Sequence, residues 1–271
     1  MRLAEYHVMA DVEDSHWWYV AQRAAMRSLL ERSGLLKSLH GGAVLDAGCG
    51  TGGHLKWLRA VLEPRKLAGF DRRPEAIRVA IRKVPEAQVW CDDLTCLSAS
   101  VLSDSFDLIL CSDVIYSLEQ SAVLTSLQSL LKLLRPGGAF LLHVPALSWL
   151  YSHHDVSVGT QHRYRRNEVE TLLKDLGLDI ASLSYRVSVL FPLIVLQRLP
   201  SLLSLRLKRH REAVGAGGSR VCADERPSQL RQPPVLVNSL LKTVMTCESW
   251  WLGSGRTFPV GSSLVALGRK P

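Results

Sequence analysis

Residues 151–166 read YSHHDVSVGTQHRYRR and bring His153, His154, Asp155, His162, Arg163, Tyr164, Arg165 and Arg166 into one short stretch. A histidine beside an aspartate can take up a proton near neutral pH, because the carboxylate orients an imidazole that titrates at about 6.5. Arginines at alternate positions suit a phosphate or carboxylate, whose paired oxygens match the guanidinium fork. The same residues also make an ordinary hydrogen-bonded turn with a solvated basic face. The histidines are adjacent or eight residues apart, which is no metal-ligand spacing. No nucleic-acid recognition module accompanies the basic residues.

A second stretch, 44-VLDAGCGTGGHL-55, places an acid and a glycine-rich turn between an apolar run and a helical pattern. Such a turn lets a ligand approach the backbone, and the helix start offers free N–H groups. Gly48, Gly50 and Gly53 satisfy the dinucleotide spacing GxGxxG; Gly48, Gly50 and Gly52 equally satisfy the GxGxG loop that holds S-adenosylmethionine. Asp71 suits ribose hydroxyls under either reading.

The elements that must position these residues follow from periodicity. Short apolar runs at 43–48, 66–71, 88–92, 106–112 and 139–145 alternate with helical patterns near 53–62, 73–83 and 120–134. That rhythm predicts βαβ units and a parallel sheet. A helix is expected at 16–33, capped by Asp14 or Ser15, and another at 167–177, after the polar loop of 151–166. Strands are expected within 178–190 and 262–270.

The 271-residue chain is 47 % hydrophobic, enough for a core, and carries a formal charge of +8, which favours anionic partners. Its six cysteines form no CxxC pair, and the N-terminus lacks an apolar signal core, so a reduced, cytoplasmic protein is expected.

Three features go beyond the glycines: Asp46 directly before the loop in DAGCGTG, 105-SFDLILCSDV-114, and 130-LLKLLRPGGAFLLHVP-145. With them the chain resembles the class I S-adenosylmethionine-dependent methyltransferases, nearest the small-molecule branch that includes quinone-biosynthesis enzymes. The resemblance covers about residues 12–190 and resumes in the last strand. It implies an α/β, Rossmann-like, seven-stranded, mostly parallel sheet whose last strand is antiparallel, with an N-terminal lid helix and a helical insert before that strand. The expected divisions are 1–35 (lid region), 36–190 (cofactor-binding core), 191–255 (cap, with a mobile linker at 208–234) and 256–271 (last strand).

Carried over by position, Asp46, Ala47 and the Gly48–Cys49–Gly50–Gly52 backbone would hold the methionine end of the cofactor. Asp71 would take the ribose hydroxyls, with Phe70 and Arg72 near the adenine. Asp93, or Asp92 one residue earlier, would meet the adenine amino group beside Leu94. Cys111 and Ser112 would border the cofactor from the fourth strand. In this fold the segment after strand five lies over the methyl donor, so His154 would be the base, oriented by Asp155, with Tyr164 beside them. His162, Arg163 and Arg165 would bind an anionic substrate group. Trp17 and Trp18 would close the pocket. Many relatives carry an acid–histidine pair where this chain has Tyr116 and Ser117; Tyr116 would contact substrate instead.

The expected function is methyl transfer to an O or N atom of a small, lipophilic or anionic metabolite. The alternatives are an NAD(P)-dependent oxidoreductase, a non-catalytic cofactor-binding protein and, within methyltransferases, an RNA acceptor. Residues 187–207 are apolar but broken by Pro192 and Pro200, which argues against a spanning helix. With basic residues at 206–211, segment 187–211 could rest on an anionic membrane; an ordinary helical cap or a dimer contact is the competing reading.

Overall fold

The computed structural model describes residues 3–98, 105–199 and 232–271. Seven strands, β1 (Ala43–Ala47), β2 (Lys66–Asp71), β3 (Gln88–Cys91), β4 (Phe106–Ser112), β5 (Leu134–Pro145), β6 (Asp179–Arg186) and β7 (Ser263–Arg269), form one sheet in the order β3-β2-β1-β4-β5-β7-β6. The first five are parallel, and β7 runs antiparallel to both β5 and β6. The chain's last strand is antiparallel, as the resemblance implied, and it enters between two earlier ones. Every residue of β1 and β4 is buried, as befits central strands covered on both faces.

One face is covered by α6 (Gln120–Leu131) and α8 (Arg166–Asp175), which bury Val123, Leu127, Leu130, Val169 and Leu173 against Phe140, Leu142 and Val144. The other face is covered by α2 (Trp17–Arg32), α4 (Gly53–Leu62), α5 (Pro74–Lys83) and α10 (Val235–Gly253). Helix α4 buries Leu55, Leu58 and Leu62, at the spacing that lines one side of a helix. Each large side chain so buried contributes about 1.5–3 kcal/mol.

The cap of α2 is His16, whose Nδ1 accepts from Trp18 N; Asp14 and Ser15 do not cap it. A preceding helix, α1 (Leu3–Val12), was not expected, and α3 (Leu35–Ser38) is a single turn. Nor is 151–166 all loop, because Ser152 and Asp155 form a capping box that starts α7 (His153–Val158).

The insert begins with a helix over 191–199, α9, whose Leu193, Leu196 and Leu199 are exposed. Residues 200–231, with most of the expected linker and the basic run at 206–211, lie outside the described residues. Helix α10 packs along α2, so it is part of the body of the molecule. Its buried Asn238 accepts from Trp17 N (2.8 Å) and donates to Ser15 O (3.0 Å). No helix among the described residues is long and apolar enough to cross a membrane.

Candidate active site

Side chains along a strand alternate between faces, so one residue shift decides which face each occupies. Val44, Leu67, Leu110, Leu141 and Val265 point to the α2 face. The same alternation puts Asp46, Asp71, Ser112, His143 and Ser263 on that face, at or near the carboxyl edge of the parallel strands. Arg186 joins them, because Leu183 and Tyr185 belong to the opposite core. The registers align these positions: Ser112 pairs with His143, and Arg186 with Ser263. A polar rim thus crosses an otherwise apolar sheet face, from Asp71 on β2 to Arg186 on β6.

The Asp71 end is the glycine loop. Asp71 accepts from Gly50 N (3.1 Å) and Arg73 N (2.9 Å), and from the Tyr6 hydroxyl of α1. Burial raises its pKa, against the pull of those backbone bonds and of Arg72 and Arg73. Asp46 is completely enclosed, and its Oδ2 has no hydrogen-bond partner. Burial, then the charges of Asp71 and Glu13, push its carboxyl well above the usual range. A buried carboxylate oxygen without a partner fits a cationic group, and a ribose diol fits Asp71 beside the loop amides. The donor set therefore suits S-adenosylmethionine, with Asp46 toward the ammonium and Asp71 toward the sugar.

Two glycines are held tightly by the protein itself. A Cβ on Gly48, at φ +77°, would meet Val114 Cγ2 at 2.3 Å, and one on Gly53 would meet Glu13 Oε2 at 2.4 Å. Gly53, the third glycine of the dinucleotide spacing, is therefore needed for packing against Glu13. That buried acid accepts from Thr51 Oγ1 (2.7 Å) and pairs with Lys83, fastening the α1–α2 corner to the loop and to α5.

Asp92 is buried with both oxygens engaged, by Asp93 N on one side and by Trp90 Nε1 and Ser98 N on the other. Asp93 is more exposed and caps the turn at 94–96 through Thr95, so it remains the better placed of the two for adenine. Leu94 is buried below it. Arg72 is exposed beyond Asp71. Cys49 is buried, with its backbone N donating to Phe70 O; Ala47 offers only backbone to the loop. Cys111 requires correction: its thiol faces the α6 core, fully buried, with its pKa raised by that burial, and so turns away from the cofactor edge.

At the centre of the rim stands a group that sequence reasoning passed over. Asp113 follows β4 at φ +54°, a left-handed conformation uncommon for a residue with a side chain. His143 Nδ1 lies 3.0 Å from both its carboxylate oxygens, and Gln22 Nε2 donates to Asp113 (2.7 Å) and Ser112 Oγ (3.0 Å). Arg186 Nη1 lies 3.1 Å from His143 Nε2. A guanidinium only donates, so Nε2 must accept and the ring proton sits on Nδ1, donating to Asp113. Burial would raise the Asp113 pKa, but the charge and hydrogen bonds of His143 and the Gln22 bond outweigh it, and the net shift is downward. Trp18 meets the His143 ring edge-on and lies under the Arg186 guanidinium. Trp17 packs on Trp18. Tyr116 is buried nearby, within electrostatic reach of Asp113 and Tyr6.

The 151–166 cluster is largely structural. Arg163, only 4 % exposed, donates to Ala146 O, Leu147 O, Ser262 O and Asp155, so it is not available to a substrate. Asp155 faces Arg163 and Arg198 and closes the α7 capping box, so it does not orient His154 as a base. Tyr164 is buried, its hydroxyl donating to Ile115 O and accepting from Gln120. His162 meets the Tyr164 ring edge-on and approaches Glu168. Arg165 is exposed at the start of α8.

Burial pushes the Asp155 carboxyl up, but the two guanidinium groups prevail and hold it below the ordinary range. A lowered folded-state pKa gives stability that is present above the unfolded value of about 3.9 and is lost as pH falls through the folded one. Asp155→Asn is expected to cost about 2 kcal/mol at neutral pH. Its Tm should then fall less than that of the parent below about pH 4, which thermal unfolding across a pH series checks.

A methyltransferase-domain family matches residues 17–183. A dTDP-4-amino-2,3,4,6-tetradeoxy-D-glucose N,N-dimethyltransferase of Saccharopolyspora spinosa is 38 % identical over 69 residues, 26 % of each chain, so the match spans about a quarter of that relative. Among solved structures, the putative methyltransferase of Haloferax volcanii, in complex with the Trm112 activator, superposes over 99 % of this chain and 93 % of its own, at TM-score 0.58 and 19 % identity. An S-adenosylmethionine-dependent methyltransferase of Mesorhizobium loti covers 92 % and 97 %, at TM-score 0.55 and 15 % identity. At these identities the likeness is one of fold.

Proposed function

The chain belongs to the class I S-adenosylmethionine-dependent methyltransferases, and from that premise we propose that it methylates an O or N atom of a small, lipophilic or anionic metabolite. The observation that carries this reading is the rim itself. Its Asp71–Asp46 end suits the donor, and its Asp113–His143–Arg186 end lies beyond, on the same sheet edge, beneath Trp17 and Trp18. Ligands of open α/β sheets sit at this edge.

When bound, S-adenosylmethionine supplies a sulfonium methyl, whose C–S electron pair returns to sulfur as an acceptor lone pair bonds the methyl carbon. The chain's own part is to align the acceptor and exclude water, which Trp17, Trp18 and Tyr116 are placed to do. A hydroxyl or ammonium acceptor also releases a proton. His143 is placed to hold its neighbours rather than to take up that proton, since Nδ1 is engaged by Asp113 and Nε2 by Arg186, and His154 is no paired base either, because its neighbouring carboxylate faces two arginines. The Saccharopolyspora relative is named for N-methylation of a dTDP-linked amino sugar, which supports an anionic acceptor with a nitrogen nucleophile.

Calorimetric titration with S-adenosylmethionine, S-adenosylhomocysteine and NADH tests the donor site. Binding of the first two without NADH is expected; binding of NADH alone would overturn the reading.

A further inference from the structure

Arg186 is fully buried, and its Nε and Nη2 have no hydrogen-bond partner. These two nitrogens form one edge of the guanidinium, the edge that grips both oxygens of a carboxylate or phosphate. The third, Nη1, is held by His143. Neither neighbouring carboxylate can serve the open edge. Asp113 is engaged by His143 and Gln22, and Glu248 accepts from Val187 N (2.6 Å), Ser188 N (2.7 Å) and Val189 N (3.1 Å). An enclosed cation left half-paired is costly, so a paired donor edge kept in such a place points to a ligand that completes it.

The surroundings agree. Ser263, the register partner of Arg186, has a buried hydroxyl without a partner, and so has Ser262 beside it. His54 Nε2 is also buried and unpartnered, and its electrostatic neighbours include Asp113, His143 and Arg186. Burial, and then Arg23, lower its pKa to about 3, so the ring adds no charge there. Val187, a β-branched residue, stands at φ +57° directly after Arg186, a strained backbone of the kind found at binding sites. Trp18, which lies against the guanidinium, belongs with Trp17, Leu190 and Ile194 to a small cluster on Ala21, Val187 and Met245, separate from the two main cores.

We propose that Arg186, with Ser263, binds a carboxylate or phosphate group of the methyl acceptor and so orients its nucleophile toward the donor. The Asp113–His143 chain positions the guanidinium, and Trp18 keeps its plane. This rests on the methyltransferase reading and narrows its acceptor to a molecule bearing a compact oxyanion beside an apolar body.

The test uses the full chain saturated with S-adenosylhomocysteine, titrated with inorganic phosphate or with acetate at constant ionic strength. Binding is followed by calorimetry and by the Arg186 Nε–H resonance. One oxyanion should bind with Kd of about 1 mM, and which one it is distinguishes phosphate from carboxylate acceptors. Arg186→Gln should weaken that binding at least tenfold and Arg186→Lys by a smaller factor, both with S-adenosylhomocysteine affinity kept within twofold. The inference is overturned if neither anion binds the parent protein, or if binding is equal in Arg186→Gln. Should Arg186→Gln not fold, an unmoved Nε–H resonance in the parent protein also overturns it. Failure of S-adenosylhomocysteine itself to bind the parent protein would instead strike the donor reading.

Discussion

Asp71→Ala is expected to weaken S-adenosylhomocysteine binding about 100-fold, because hydrogen bonds to a charged group contribute about 1.5–3 kcal/mol each and a sugar diol makes two. The fold should survive. Asp71 ends β2, and its internal partners are the amides of Gly50 and Arg73 at the rim of the loop. Part of the ligand's gain is already offset in the free protein, since the Tyr6 hydroxyl occupies the same carboxylate. Tyr6→Phe removes that competitor and should tighten binding about threefold, the opposite direction from Asp71→Ala. Calorimetry on the two variants and circular dichroism of each separate the cases. An affinity unchanged in Asp71→Ala would remove Asp71 from the donor site.

Glu248→Ala is expected to cost about 4 kcal/mol and lower Tm by about 10 °C. Its buried carboxylate accepts three successive backbone N–H groups, those of Val187, Ser188 and Val189, and so pins α10 to the end of β6. The alanine variant leaves those donors unpaired beside the strained Val187 backbone, with no acceptor to hold it. Glu248→Gln keeps one acceptor oxygen and should lose about half as much. Differential scanning calorimetry reads both, and hydrogen exchange at 187–189 should rise before global unfolding. An unchanged Tm would mean that α10 is dispensable to this edge of the sheet.

The strands, the glycine turn and the buried acids Asp46 and Asp71 beside it were legible because their signals are local. A buried strand is a run of apolar residues, and a sharp turn needs glycine, whatever lies elsewhere in the chain. The Asp113–His143–Arg186 end of the rim was not read, although it left a mark. His143 interrupts AFLLHVP, Arg186 interrupts LSYRVSVL, and Gln22 sits on the apolar side of α2. Polar residues in core positions are the informative exceptions, since each needs a partner. The partners are far away in sequence, so spacing cannot name them. Conversely, the dense cluster of 151–166 drew attention because its charges are close together, yet Arg163 and Asp155 satisfy one another and anchor a loop.

By itself the sequence determined the α/β order, the glycine turn after the first strand and the family to which the chain belongs, all through short-range constraints on backbone and burial. Only the tertiary structure decided which polar residues share a site. Strand alternation and register set Asp46, Asp71, Ser112, His143, Ser263 and Arg186 on one face, and α2 and α10 close over them. The reason is physical: burying a charge is tolerable only beside its complement, and that complement is brought near by the packing of the whole sheet.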